Sequence, residues 1–193
     1  MAKKKTETAE MAFKIGQNVV YPAHGVGMVK GIEKQTLAGM DLEVYTVSFD
    51  QDKMILRVPT NRAVASGMRA LAGTKLVDDA LKTLGGRARI KRTMWSRRAQ
   101  EYEAKINSGS LISIAEVVRD LHRAQDQPEQ SYSERQLYEN ALDRMARELA
   151  AVENIERDKA MDKLAKSLAK KKAVIAAAAA AAEAEAEAAA SAA

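Results

Sequence analysis

Apolar residues along this chain keep two different periods, and the change falls near residue 68. Before it, short runs rich in β-branched residues stand at Asn18–Tyr21, Gly27–Lys34, Leu42–Phe49 and Lys53–Val58, the pattern of strands. In the third run Leu42, Val44, Thr46 and Ser48 alternate with Glu43, Tyr45, Val47 and Phe49. Both sets contain apolar residues, so both faces are expected to be partly covered. Pro22-Ala-His-Gly25, Ala38-Gly39 and Asp50-Gln-Asp52 supply turns between the runs. Four or five strands this short cannot build two large packed sheets, and a small, strongly curved SH3-like barrel fits the length.

From about Thr74 the period is helical. Leu76, Ala80, Leu81 and Leu84 predict a short helix that stops at Gly85-Gly86. Trp95, Ala99, Tyr102 and Ile106 form a second stripe, with Thr93 as candidate N-cap and Asn107-Ser-Gly109 as its end. A third stripe, Leu111, Ile114, Ala115, Val118, Leu121 and His122, follows Ser110 as N-cap. Beyond a break at Gln127-Pro128, Ser131 and Glu134 have capping-box spacing ahead of Tyr138, Ala141, Leu142, Met145, Leu149 and Val152. Met161, Leu164, Ala165 and Leu168 make a last stripe. Helices with one apolar face must pack on each other, so a compact bundle is expected. The fold class is therefore α+β, a small β-barrel followed by an all-α bundle. The expected divisions are a disordered charged leader (1–12), the barrel (13–68), the helical domain (74–170) and an Ala/Glu tail (171–193) with high helix propensity and nothing to bury.

Composition removes several function classes. With 193 residues and 47% apolar content, one or two packed cores are affordable. No cysteine is present, which excludes disulfides, thiolate metal sites and cysteine nucleophiles. The leader has no apolar run to act as a secretory signal, and Glu183, Glu185 and Glu187 interrupt the alanine tail too often for a membrane span. A cytoplasmic protein without membrane contact is expected. The two histidines, His24 in a turn and His122 on a helical stripe, fall in different domains. There is no nucleophile elbow, P-loop or metal-ligand cluster, and Gly25-Val-Gly27 reads as a tight turn. The expectation is a non-enzyme that needs no cofactor and no metal.

Charge distribution adds more than the total of +5. Residues 1–86 carry 12 basic and 9 acidic groups, and residues 99–193 carry 13 and 17. The intervening block Arg87–Arg98, RARIKRTMWSRR, carries six basic groups and no acid. Clustered cations of this kind suit a phosphate backbone, whose neutralisation releases counterions, and five of the six are arginines. The same block also reads as a solvated linker. Trp95, the only tryptophan, lies inside it. By spacing it is a core anchor of its helix; by position in the first turn it is an exposed ring able to stack on a base or wedge into a groove.

Phe13-Lys-Ile-Gly16, Val19-Val-Tyr-Pro-Ala-His-Gly25, Gly31-Ile-Glu33, Leu56-Arg-Val-Pro59, Trp95-Ser-Arg-Arg98 and Ala115-Glu-Val-Val-Arg-Asp-Leu121 together resemble the bacterial CarD/CdnL transcription regulators, from about residue 13 to 165. The resemblance implies an N-terminal Tudor-like domain that binds the RNA polymerase β subunit, of a kind also found in the transcription-repair coupling factor. It further implies a helical domain that contacts promoter DNA, weakly and with low sequence specificity, at the upstream edge of the melted bubble. By position the wedging tryptophan is Trp95, with Arg97, Arg98, Arg92 and Lys91 as basic DNA contacts. Arg57 matches the polymerase-facing arginine, with Tyr45 and Pro59 as neighbours. Some members carry a basic residue where this chain has Gln35 beside Lys34. The function implied is a monomeric regulator, held on the nucleoid by the housekeeping sigma holoenzyme, that stabilises the open promoter complex. A general architectural DNA-binding protein without polymerase contact is the alternative.

Overall fold

Strand β1 (Asn18–Tyr21) turns through Pro22-Ala-His24 into β2 (Gly25–Leu37) in the computed structural model, which describes residues 12–37, 40–50, 52–90, 93–123 and 130–169. Gly25 sits at the corner with φ 77°, a conformation that costs glycine little and other residues more. The chain continues through β3 (Met40–Phe49), β4 (Met54–Pro59) and the two-residue β5 (Arg69–Ala70). All neighbours are antiparallel, in the order β4-β3-β2-β1-β5. Between Val29 and Gly31 the β2–β3 register slips by one residue, leaving Lys30 as a bulge that increases the local twist.

The sheet closes over Phe13, Val19, Val29, Tyr45, Val47, Phe49, Val58, Ala63 and Met68. Residues Val44 to Val47 are all buried, so β3 is covered on both faces, as its imperfect alternation predicts. Gly27 is held to its size by this core. A Cβ there would lie 2.7 Å from Phe49 Cε1 and 2.8 Å from Val47 Cγ1. This five-stranded antiparallel sheet is the Tudor-like module that the family resemblance implies.

A second compact unit starts at Ala72, after the first ends at Leu71. It contains α1 (Thr74–Leu84), α2 (Trp95–Asn107), α3 (Leu111–Leu121), α4 (Tyr132–Glu153) and α5 (157–169). Their starts and stops follow the capping signals. Gly85 ends α1, and Ser110 Oγ accepts from the Ser113 N–H at the start of α3. Ser131 and Glu134 form a reciprocal capping box on α4, whose end is set by Asn154 in the left-handed conformation at φ 53°. The core gathers Val77, Ala80, Leu84, Tyr102, Ile106, Leu111, Ile114, Val118, Leu121, Met145, Leu149, Leu164 and Leu168, among others.

Three sequence expectations shift by one or a few residues. Val77, not Leu76, faces the core of α1; Leu76 is exposed, because the stripe runs Val77, Ala80, Leu81, Leu84 at three- and four-residue steps. Ala160, not Ala165, joins Leu164 and Leu168 in α5. Met94, not Thr93, is the N-cap of α2, and no side chain caps it. The Gln127-Pro128 break, residues 1–11 of the leader and the Ala/Glu tail lie outside the described residues. Among the described residues no helix is long and apolar enough to cross a membrane.

Candidate nucleic-acid and polymerase surfaces

The basic segment begins where α1 ends. Arg87 and Arg89 are exposed, yet the segment is tied to the bundle through its backbone. The Arg89 N–H donates to Asp120 Oδ1 at 2.9 Å, and the same oxygen accepts from Arg119 Nε at 2.8 Å. Arg119 and Asp120 are both buried on α3. A buried carboxylate must find donors, and this one finds a guanidinium and a backbone amide from a segment with no helix or strand of its own. Glu148 acts similarly: it is 1% exposed, and its Oε1 accepts from the Ala72 N–H at 3.2 Å. Sequence reading misses all three, because each looks like an ordinary polar position on an amphipathic helix. Lys91 and Arg92 lie outside the described residues.

Helix α2 then opens with an unusual electrostatic arrangement. Its first turn holds Arg97 and Arg98 and no acid, at the end where the helix dipole is positive. The two arginines are not equivalent. Arg97 is exposed, whereas Arg98 is half-buried, with its guanidinium 5.5 Å from the centroid of the Trp95 ring. The buried Nε of Arg98 has no hydrogen-bond partner among the described residues.

Trp95 itself belongs to both readings of its spacing. It is half-buried, packs against the helical core, and lies 6.4 Å from Tyr102 between ring centroids. Its indole Nε1–H donates to Ser133 Oγ on α4 at 3.0 Å. The residues beside this hydrogen bond are the most exposed large apolar side chains described: Met94 at 80% and Tyr132 at 78%. The basic helix start and the start of α4 therefore meet at one partly apolar, partly cationic spot. Behind it, burial and then the Asp120 charge raise the Tyr102 hydroxyl above its usual 10.0, and Arg98 partly offsets them. His122 is half-buried with Nδ1 3.1 Å from the Tyr138 hydroxyl, a partnered histidine as its stripe position suggests. Burial raises the Tyr138 hydroxyl as well.

On the sheet unit, strand register sorts the polymerase candidates. Arg57 is exposed on β4 opposite Thr46, with Nε 3.7 Å from Glu33 Oε2 on β2. Pro59 follows on the same face, opposite Val44. Tyr45 does not share that face. It is 0% exposed, its hydroxyl accepts from the Phe13 N–H at 3.4 Å, and its ring meets Phe13 edge-on at 5.8 Å. Tyr45 pairs with Val58, one position out of step with Arg57, so strand alternation turns it inward. The expectation of a surface Tyr45 is thereby corrected: it is a core residue. Gln35 is half-buried opposite Leu42, and the neighbouring Lys34 reaches Glu43 at 3.7 Å.

Comparison with known proteins gives both units a counterpart. Residues 13–71 match the model of the CarD-like/TRCF RID domain, and residues 79–165 match that of the CarD C-terminal domain. The chain is 27% identical over 143 residues to "Putative transcription factor YdeB" of Bacillus subtilis (strain 168), covering 74% of this chain and 94% of that protein. It is also similar to the solution structure of the 72-residue N-terminal domain of Myxococcus xanthus CarD, at 32% identity and a TM-score of 0.28, covering 33% of this chain and 84% of that one. The two domain matches, in order along the chain, show that the protein belongs to the CarD/CdnL family of RNA polymerase-interacting transcription factors.

Proposed function

We propose that this chain docks on the RNA polymerase β subunit of the housekeeping sigma holoenzyme through its sheet unit, and stabilises the open promoter complex through its helical unit. In this reading Arg57 and Pro59 contribute to the polymerase contact, while Trp95 wedges at the upstream edge of the bubble. Arg97 contacts phosphate, together with Lys91 and Arg92 of the same block, and Arg98 backs the indole. The protein acts as a monomer, on the nucleoid, and catalyses nothing.

The observation that carries the reading is the start of α2. A half-exposed indole stands in a helix turn that presents cations where the dipole is already positive. In the free protein that arrangement is unfavourable, and a phosphate anion relieves it. One ring and a handful of cations make a weak grip, which suits a protein delivered to promoters by a second contact that raises its effective concentration. No helix with a set of base-reading side chains is needed, so sequence specificity is low.

Open-complex lifetime after addition of a competitor tests both halves. W95A is expected to bind polymerase normally and to shorten the lifetime about fivefold or more, given that stacking contacts are worth roughly 1–3 kcal/mol. R57E is expected to lose polymerase binding and, with it, the effect on lifetime. An unchanged lifetime for a folded, polymerase-bound W95A would end the wedge reading.

A further inference from the structure

The indole of Trp95 is held from three sides, and one of them lies far away in sequence. Tyr102 packs against the ring on the same helix, and Arg98 covers a face one turn along. Neither contact fixes rotation of the ring about its own axis, since a flat apolar surface and a cation are tolerant of direction. The hydrogen bond from Nε1 to Ser133 Oγ does, because it demands a donor aimed at one atom. Ser133 is itself steadied: its Oγ lies 3.3 Å from Ser131 Oγ, which also accepts from the Glu134 N–H in the capping box of α4. Thus the direction of the ring is referred, through two hydroxyls, to the rigid first turn of a 22-residue helix.

We infer that Ser133 is a positioning residue for Trp95, setting the angle at which the indole meets DNA. The inference rests on the proposed DNA contact of Trp95 and adds a residue 38 positions away that touches no DNA itself. A wedge is effective only when its edge is already aligned, since a freely turning ring must lose that freedom on insertion. The serine supplies the alignment before DNA arrives.

Trp95 is the only tryptophan, so selective indole fluorescence of the full-length protein reports on this ring alone. In S133A, steady-state anisotropy of the indole is expected to fall and quenching by acrylamide to rise, with secondary structure and polymerase binding unchanged. Open-complex lifetime is expected to shorten about threefold, the scale of one lost hydrogen bond. S133T, which keeps the hydroxyl, should restore both readouts. W95F removes the N–H donor, so adding S133A to W95F should change the lifetime no further. Unaltered anisotropy and quenching in S133A would overturn the inference, as would an equal S133A effect in the W95F background. Normal lifetime with a loosened indole in S133A would overturn it too, provided W95A shortens the lifetime. A W95A protein with normal lifetime instead strikes at the wedge reading, and the anisotropy of S133A still decides whether the serine holds the ring.

Discussion

The two units solve the same problem, buried backbone polar groups, by different means. In the sheet unit the strands satisfy one another, and among its described buried residues the side-chain polar groups are the uncharged hydroxyls of Thr46 and Tyr45. The helical unit has irregular segments that run against its core: the entry at Ala72 and the basic stretch after α1. Helices satisfy only their own amides, so these segments take their acceptors from buried carboxylates, Glu148 for Ala72 and Asp120 for Arg89. A sheet can therefore keep an almost wholly apolar interior, whereas this bundle must bury charge in order to hold chain that is neither helix nor strand. Its basic segment is thus fixed by ionic chemistry from inside the core.

The largest test of that contrast is D120A. It leaves Arg119 buried without its carboxylate and frees the Arg89 amide, so unfolding free energy of the helical unit should drop by about 3–5 kcal/mol. Denaturant unfolding followed by helical circular dichroism measures it, and a loss below about 1 kcal/mol would mean that the pair does not organise the bundle. In the sheet unit the matching weak point is apolar. G27A drives a methyl into Phe49 and Val47 and should cost about 1–3 kcal/mol, seen as faster amide exchange in β1 to β3 while the helices keep their protection. Equal loosening of both units would mean that the effect of the methyl is not confined to the sheet.

A smaller effect comes from pH. Tyr102 and Tyr138 have hydroxyl pKa values raised above 10.0 in the folded protein. The folded state then holds its protons where the unfolded state has begun to release them. The contribution is complete below pH 10 and is lost as pH rises through the elevated values. Stability of the helical unit should therefore fall above pH 10, and Y138F should flatten that fall. Denaturation midpoints measured across the alkaline range check it, and an identical slope in Y138F would remove Tyr138 from the account.

Most elements were legible because their ends carry chemistry that acts locally. Gly85, Ser110, and Ser131 with Glu134 mark helix boundaries through bonds that span only a few residues, and Pro22 to Gly25 marks the first hairpin in the same way. Two of the three small errors have a common source. On α1 and α5 two stripes one position apart were both plausible by period, and only packing chooses between them. The candidate site was half legible. The cationic block and its tryptophan stand out in the sequence, but the groups that hold them do not. Asp120 meets an amide 31 residues away, Glu148 one 76 away, and Ser133 an indole 38 away. No periodicity reports a contact of that kind. Tyr45 shows the complementary case: its own alternation grouped it with Val47 and Phe49, which are core, and the register against β4 decides the matter.

The bulge at Lys30 has a consequence for parity along β2. Val29 and Ile32 both face the sheet core, opposite Val47 and Tyr45, although they are three residues apart rather than two. The extra residue inverts inside and outside for everything that follows. Glu33 owes its outward position near Arg57 to that inversion. A strand with even count throughout would send Glu33 into the core and Ile32 into water. Substituting Lys30 is therefore a mild change, while deleting it exchanges the buried and exposed faces of the rest of β2.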